Sequence, residues 1–221
     1  MGVMSYFKSP DAIKAFFERE GQKVVYDKNQ TFVRPDDPRP WVYVLQEGLV
    51  AASFNFENGT KCILGYFIPN TVFAQNRSFY ENDGGGLEYT TVTKAVIYRL
   101  HRDTFLKQVE NDPAFNREYL HNVSQFRIFT TDRAICLAEN RIHNRCIRWL
   151  MLMANYYSEP VGKGSRIIIP FTQGTIAEFL SVSRESVSKV IHSLVQDGHI
   201  SIHRKQITIT NVARLRDLLE A

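Results

Sequence analysis

The chain has 221 residues, of which 44% are hydrophobic and 23% charged, and its net charge is +4. This balance is ordinary for a folded globular protein and excludes a low-complexity or collagen-like chain. No apolar run approaches the roughly 20 residues of a membrane span, and the amino-terminal stretch is broken by charges, unlike a secretion signal. We therefore expect a cytoplasmic protein with no membrane partner.

The charge is distributed unevenly along the chain. Residues 141–221 contain 11 Lys+Arg and 6 Asp+Glu, a balance of +5, whereas residues 1–140 have a balance of −1. Such asymmetry indicates a polyanion-binding segment joined to a nearly neutral one.

Three scattered cysteines, Cys62, Cys136 and Cys146, do not form the pattern of a disulfide framework. The absence of any cysteine before Cys62 excludes an amino-terminal iron–sulfur cluster. Cys136, Cys146 and His143 leave open a transition-metal site or a redox switch, although their spacing matches no standard zinc pattern. We expect reduced thiols, no metal and no cofactor.

The first half of the chain reads as one helix followed by many short strands. Residues 11–20, DAIKAFFERE, predict a helix that buries Ile13, Phe16 and Phe17. From residue 23 to about 100, stretches rich in β-branched and aromatic residues alternate with turn signals. Asn58-Gly59 between two alternating runs predicts a hairpin. This pattern favours a small sandwich or jelly-roll barrel.

A long helix is predicted from Asp112-Pro113 to about Glu139. Its stripe of apolar or aromatic residues approximates a heptad seam that Arg133 interrupts, which favours a coiled-coil-like contact with a second copy. An ordinary helix packed on its own barrel is the alternative. The expected dimer residues are Phe115, Tyr119, Val123, Phe126, Thr130 and either Ile135 or Leu137.

The last third of the chain predicts a winged helix-turn-helix. A helix over residues 141–157 and a loop over 159–165 lead to a short strand at 167–169. Thr172 is placed to cap a helix ending at Leu180. A second helix runs from Ser183 to Asp197, and two strands flank the basic turn at residues 203–206. The expected domains are therefore residues 1–110, 111–139 and 140–221, with a hinge near residues 139–142.

In this geometry the second helix lies in the major groove and its amino-terminal residues meet base edges. An Arg donates two hydrogen bonds to guanine and a carboxylate accepts one from cytosine, which gives Arg184 and Glu185 a reason to be adjacent. The residues at the start of the first helix and those of the basic turn between the last two strands, the wing, are placed to contact phosphates. The expected DNA-binding residues are Thr172, Gln173, Ser183, Arg184, Glu185, Ser188, Lys189, Arg204 and Lys205.

The stretch TQGTIAEFLSVSRESVSKVIHSLVQDGHI resembles the helix-turn-helix signature of the CRP/FNR (catabolite activator/fumarate-nitrate regulator) family of transcription factors. Upstream, WVYVLQEGLVAASFNFENGTKCILGYFIPNTVF resembles the family's β-roll. The resemblance implies an α+β fold with an amino-terminal, cyclic-nucleotide-binding-like jelly roll, a long dimerisation helix and a carboxy-terminal winged helix-turn-helix. It also implies a homodimer on a palindromic operator, with RNA polymerase as a further partner.

What the β-roll senses departs from the cyclic-nucleotide-binding members of the family. Their Gly-Glu pair is absent after Thr71-Val72, and Arg77-Ser78 lies too close to the preceding strand to be their Arg-Ser pair. We therefore expect a small-molecule effector other than cyclic AMP, bound in an aromatic pocket with cationic residues. The candidate residues are Tyr66, Phe73, Arg77, Tyr89 and Arg127.

An enzyme built on a cupin-like barrel is the alternative function. Metal-dependent cupins present a His-x-His pair, which this chain lacks, and all six histidines lie outside residues 23–100. No nucleophile elbow, phosphate loop or dinucleotide fingerprint is found either. We therefore assign no catalytic residues.

Overall fold

The computed structural model describes residues 11–35, 37–38, 40–74 and 86–219. The chain forms two compact units whose boundary falls between Phe126 and Arg127. None of the helices in the described ranges is both long and apolar enough to cross a membrane.

The first unit is a β-roll preceded and followed by helices. Its elements in the described ranges are α1 (Asp11–Glu20), β1 (Gln22–Tyr26), β2 (Thr31–Val33), β3 (Trp41–Glu47), β4 (Val50–Asn55), β5 (Lys61–Phe67), β6 (Val72–Phe73), β7 (Leu87–Thr91) and β8 (Ala95–His101). The strands form two four-stranded antiparallel sheets, in the orders β1-β8-β3-β6 and β2-β7-β4-β5. The jelly-roll prediction is therefore confirmed.

Turn chemistry explains where the strands reverse. The predicted hairpin joins β4 to β5, with Gly59 at φ +80° and the Thr60 N–H donating to Asn58 Oδ1 at 3.0 Å. Gly48 turns the chain between β3 and β4 at φ +96°. A Cβ there would lie 2.3 Å from the Lys94 carbonyl oxygen, so both the backbone angle and the available space require glycine.

Two helices follow the roll, α2 (Arg102–Asn111) and α3 (Pro113–Ala138). The predicted start of the long helix is confirmed, since Asp112 Oδ1 accepts hydrogen bonds from the N–H groups of Ala114 and Phe115, both at 3.0 Å. That a separate α2 precedes it was not predicted. The 26 residues of α3 span about 39 Å at 1.5 Å per residue.

The first half of α3 corrects the expected dimer seam. Phe115 and Tyr119 are 3% and 5% exposed and belong to the core cluster that holds Phe16 and Phe105. Val123 packs against the same cluster, and the Phe126 ring lies 5.9 Å from that of Phe67. The apolar stripe up to Phe126 therefore packs on the roll of its own chain, with Phe115 and Tyr119 buried there and Val123 and Phe126 half-buried.

The second half of α3 packs within the second unit. The Phe129 ring lies 5.1 Å from that of Tyr156, and the Tyr156 hydroxyl donates to Asp132 Oδ2 at 2.5 Å. Arg133 interrupts the heptad pattern because it serves another contact, with its guanidinium 5.0 Å from the centre of the Phe179 ring. Its position in the sequence therefore reflects packing between helices of this unit.

The remaining elements form a winged helical unit. They are α4 (Ile142–Tyr156), β9 (Ser158–Val161), β10 (Gly164–Ile167), α5 (Gln173–Leu180), α6 (Arg184–Gln196), β11 (Ile200–His203), β12 (Gln206–Ile209) and α7 (Val212–Asp217). The strands form one sheet in the order β11-β12-β10-β9. The loop expected over residues 159–165 is wrong, because β9 and β10 pair as a hairpin there. The helix α7 was not predicted.

The corner between α3 and α4 is held by arginines. Arg145 Nε donates to the Glu139 carbonyl oxygen at 2.7 Å, and Arg148 Nε lies 3.2 Å from Glu139 Oε2. The hinge expected near residues 139–142 therefore lies inside one compact unit, whereas the boundary between the units falls earlier, within α3.

Candidate nucleic-acid interface

The first helix of the helix-turn-helix, α5, begins at a capping box. Thr172 Oγ1 accepts from the Thr175 N–H at 3.1 Å, and the Thr172 N–H donates to Thr175 Oγ1 at 2.9 Å. These two bonds satisfy amino-terminal N–H groups that have no partner inside the helix. The predicted cap is confirmed, and it makes Gln173 the first helical residue.

The second helix, α6, begins where the sequence predicted. Ser181 ends α5 in the left-handed conformation at φ 54°, and Ser183 Oγ accepts from the Ser186 N–H at 3.2 Å as the cap of α6. Val187, Ile191 and Leu194 face the core, as their spacing predicts. The opposite face of α6 is directed towards solvent.

The carboxy-terminal end of α6 is also sharply defined. Gly198 has a φ of +71°, its N–H donates to the Val195 carbonyl at 3.1 Å, and the His199 N–H donates to the Leu194 carbonyl at 2.9 Å. This pair of bonds is a Schellman motif, which glycine permits. The helix α6, the one expected to lie in the major groove and here named the reader helix, is thus fixed at both ends.

The solvent face of α6 and the start of α5 enclose an open cleft of about 460 Å³. Arg184, Glu185 and Lys189 are exposed and Ser188 is half-buried. The residues lining the cleft are Gln173, Arg184, Glu185, Ser188, Lys189 and His192. Five of the nine predicted DNA-binding residues are thereby brought together.

His192 also lines the cleft, although it is not among the DNA-binding residues expected from the sequence. It lies eight residues after Arg184 and four after Ser188, which places all three on one helix face. The spacing of these three residues in the sequence is the signal that could have identified it.

Glu185 is held as a carboxylate at the start of α6. Hydrogen bonds from its own backbone N–H and from the Ser183 hydroxyl lower its pKa below the ordinary value, and the nearby charges of Arg184 and Lys189 act in the same direction. An ionised carboxylate is purely a hydrogen-bond acceptor. Glu185 is therefore prepared to accept a hydrogen bond from an amino group.

The wing places two cations at a strained turn. His203 pairs with Gln206 across the hairpin, so Arg204 and Lys205 form a two-residue loop. Both have positive φ values, 47° and 68°, as in the turn usually made by Asn-Gly. Residues with side chains pay for this conformation at functional sites, which makes the turn a candidate site in itself.

The other predicted residues lie around the cleft rather than in it. Thr172 and Ser183 are the caps of α5 and α6, and both are exposed. The Lys205 carbonyl oxygen accepts a hydrogen bond from the Phe171 N–H at 2.8 Å. The wing turn is thus attached directly before the start of α5.

The residues expected to bind an effector are mostly core residues of the roll. Tyr66, Phe73 and Tyr89 are at most 4% exposed. The Phe73 ring stacks on Phe67 at 4.4 Å and meets Tyr89 edge to face at 5.5 Å. Core packing therefore accounts for these aromatic residues. Arg77 lies outside the described residues, and Arg127 is an exposed residue of the second unit.

The cysteine and histidine grouping does not form a metal centre among the described residues, where no cluster of three potential ligands is found. Cys136 and Cys146 are buried free thiols, whereas His143 is exposed. Burial raises the pKa of Cys136 to about 11 and that of Cys146 to about 12. Both side chains are therefore neutral thiols near neutral pH.

Known proteins similar to this chain are transcription regulators. A family model described as a Crp-like helix-turn-helix domain matches residues 144–218. The Global nitrogen regulator of Synechocystis sp. is 26% identical over 92% of this chain and 93% of its own length. The CRP-like cAMP-activated global transcriptional regulator of Mycobacterium tuberculosis is 22% identical over 93% and 91%.

The fold comparison agrees with these sequence matches. The structure of FixK2 from Bradyrhizobium japonicum superimposes with a TM-score of 0.74 at 20% identity, covering 90% of this chain and 96% of that one. Because these similar proteins are regulators and not enzymes, the cupin-like enzyme alternative is wrong. Residues 144–218 thus match a Crp-like helix-turn-helix domain, and over most of its length the chain is similar to transcription regulators of the CRP/FNR type.

Proposed function

We propose that the chain acts as a homodimer that binds a two-fold symmetric DNA operator and controls transcription from a neighbouring promoter, with RNA polymerase as a further partner. The observation that carries the proposal is the cleft at the start of α6, where Arg184 and Glu185 are exposed beside Lys189 and Gln173. This is the part of a reader helix that meets base edges.

Arg184 and Glu185 are proposed to read one G·C pair. The planar guanidinium of Arg184 matches guanine O6 and N7, and the ionised carboxylate of Glu185 accepts from cytosine N4. Ser188 is short enough to allow the helix to approach the bases. Lys189 provides a compact charge rather than a fork of donors, so it suits a single base acceptor or a phosphate.

The surrounding residues are proposed to hold the backbone on either side of the groove. Thr172, Gln173 and Ser183 present hydroxyl or amide groups and helix amino termini, which bind phosphates readily. Arg204 and Lys205 add two positive charges at the wing. These contacts supply affinity that depends on salt but not on sequence.

The dimer contact is proposed to use the outward face of α3. Leu120, Ile128 and Ile135 are 58%, 45% and 55% exposed, unusually high for large aliphatic side chains at spacings of eight and seven residues. Ser124 and Thr131 lie between them, also exposed. Two such faces packed together would bury this apolar stripe. Thr130 is exposed and Leu137 half-buried, so both border the proposed contact.

An effector other than cyclic AMP is proposed to adjust DNA binding. The support is the absence of the Gly-Glu pair of cyclic-nucleotide binders after Thr71-Val72. Glu88 on β7 is paired with Lys61 at 3.3 Å and accepts from the Thr90 hydroxyl at 3.0 Å, so it already has partners within the roll. Calorimetric titration with cyclic AMP should give no heat of binding, and micromolar binding would overturn this part of the proposal.

The function is tested by selecting duplexes from a random DNA pool with the purified protein. We expect a two-fold symmetric motif with half-site centres about one helical turn apart, as a dimer of this fold requires. Repeating the selection with cell extract supplies any effector needed. Failure to enrich a motif under either condition would contradict sequence-specific DNA recognition.

A further inference from the structure

We propose that His192 is a further DNA contact, whose protonated imidazole neutralises one backbone phosphate and makes operator affinity rise as the pH falls. This inference rests on the proposed DNA-binding function and assigns a role to a residue that the reading of the sequence left aside.

The position of His192 on α6 is the first argument. Arg184, Ser188 and His192 follow one another at four-residue intervals, and Glu185, Lys189 and His192 at four and three. His192 is therefore the last member of both of these series of cleft residues. It lies on the face of α6 opposite the buried Val187, Ile191 and Leu194.

Its distance from the reading residues is the second argument. Eight residues separate His192 from Arg184, which is about 12 Å along the helix axis. Base edges are met by the amino-terminal residues of a reader helix. A residue more than two turns further along is placed to meet the sugar-phosphate backbone that borders the groove.

The surroundings of His192 leave its imidazole available. The side chain is exposed, and among the described residues it has no hydrogen-bond or ion-pair partner. The helices α4 and α5 and the strand β11 pack against α6. Of the described residues on these three elements, the uncharged Gln173 of α5 alone lines the cleft, so the charged groups facing His192 are Arg184, Glu185 and Lys189 of its own helix.

Histidine chemistry turns this position into a pH-dependent contact. An imidazole changes charge between roughly pH 5 and pH 8, and a phosphate nearby favours the charged form. Each phosphate neutralised adds about 0.9 to the steepness with which the logarithm of affinity falls with the logarithm of salt concentration. We call this steepness the salt slope. A phosphate contact from His192 would make the salt slope depend on pH, whereas a purely structural role in the helix would not.

The test measures operator affinity by fluorescence anisotropy over a series of salt concentrations, at about pH 6 and about pH 8. The duplex is the one enriched by the wild-type protein. For the wild type we expect a slope steeper by up to about 0.9 at the lower pH. His192→Gln should lose most of this difference, whereas His192→Lys should have the steep slope at both pH values.

Two matched variants separate His192 from other histidines. His143→Gln removes an exposed imidazole of α4 that does not line the cleft, and it should behave as wild type. His203→Gln removes the imidazole beside the wing turn, and it should retain most of the difference in slope between the two pH values. Identical slopes for the wild type and His192→Gln at both pH values would overturn the inference. A wild type that binds no duplex would instead contradict the proposed function.

Discussion

The backbone N–H of Phe171 donates a 2.8 Å hydrogen bond to the carbonyl oxygen of Lys205. Phe171 immediately precedes the cap of α5, and Lys205 is the second residue of the wing turn. The bond fixes the wing cations beside the start of α5, although more than 30 residues separate the two along the chain. Under the proposed function, the start of α5 and the wing turn would therefore contact the same duplex.

The strained wing turn predicts a trade between stability and DNA affinity. Replacing Arg204-Lys205 by Asn-Gly should raise the free energy of unfolding by about 1 kcal/mol, because Asn-Gly adopts positive φ at both positions with less strain. Loss of two phosphate contacts should reduce the salt slope of operator binding by about 1.8. Urea unfolding and anisotropy titrations measure the two effects.

A matched double variant tests whether position or overall charge matters at the wing. Arg214→Ala with Arg216→Ala also removes two exposed cations from the same unit, but from α7. We expect its salt slope to stay within about 0.5 of the wild-type value. An equal loss of slope in both double variants would show that net charge, and not the wing, determines the affinity.

The cap of the reader helix predicts a local stability effect. Ser183→Ala removes the acceptor for the Ser186 N–H, and it should lower the free energy of unfolding by about 1 kcal/mol. Ser183→Asp retains a capping oxygen and should restore most of that loss. Ser201→Ala, at an exposed strand position, serves as the control. Equal stability of Ser183→Ala and wild type in urea would contradict the assigned cap.

The outward face of α3 predicts the site of dimerisation. Leu120→Glu with Ile128→Glu should weaken the dimer at least about a hundredfold, because burying an unpaired carboxylate costs several kcal/mol. Sedimentation equilibrium measures the effect. Val25→Glu alters a similarly exposed apolar residue on β1, 52% exposed, and should leave the dimer intact. A dimer that persists in the double variant would place the contact elsewhere.

The buried thiols predict how reactivity and stability depend on pH. Since burial raises the pKa of Cys136 from 9.0 to about 11, its thiolate fraction at about pH 8 is roughly a hundredfold below that of an unfolded thiol. Alkylation of native Cys136 and Cys146, followed by mass spectrometry, should be slower than in urea by at least this factor. Rapid labelling of either native thiol would contradict the neutral, buried state.

The raised pKa values of Cys136 and Cys146 also predict how the free energy of unfolding depends on pH. Folding favours the neutral thiols, so their contribution is fully present below about pH 9. It is lost as the pH rises towards about 11 and 12, where the folded thiols ionise. A Cys146→Ser variant should therefore show a smaller fall in unfolding free energy above pH 9 than the wild type, as measured by urea titration.

Local signals in the sequence correctly predicted the elements whose ends are marked by a capping residue or a turn motif. Thr172 and Ser183 cap helices as predicted, the long helix begins at Pro113 as expected, and Asn58-Gly59 forms the expected hairpin. The β9–β10 hairpin was missed because its glycines and proline read as a loop. Gly164 is in fact required by packing, since a Cβ there would lie 1.9 Å from the Ile209 carbonyl oxygen.

The stripe of α3 shows a different limit of sequence reasoning. Periodicity shows that one face of a helix is apolar, but not whether that face meets its own roll or a second copy. Phe115 and Tyr119 belong to the first case. The exposed Leu120 and Ile128 could be recognised only once the packing of α3 was known. The burial of Phe73 and Tyr89 likewise depends on how the two sheets of the roll close.

The most direct test concerns the bases that Arg184 and Glu185 are proposed to read. Affinities of wild type, Arg184→Ala and Glu185→Ala would be measured on the selected operator and on duplexes with each half-site G·C pair replaced. We predict that each variant loses about 1–3 kcal/mol on the operator and no longer distinguishes one particular base pair. Both variants retaining wild-type discrimination at every position would contradict base reading by the amino-terminal end of α6.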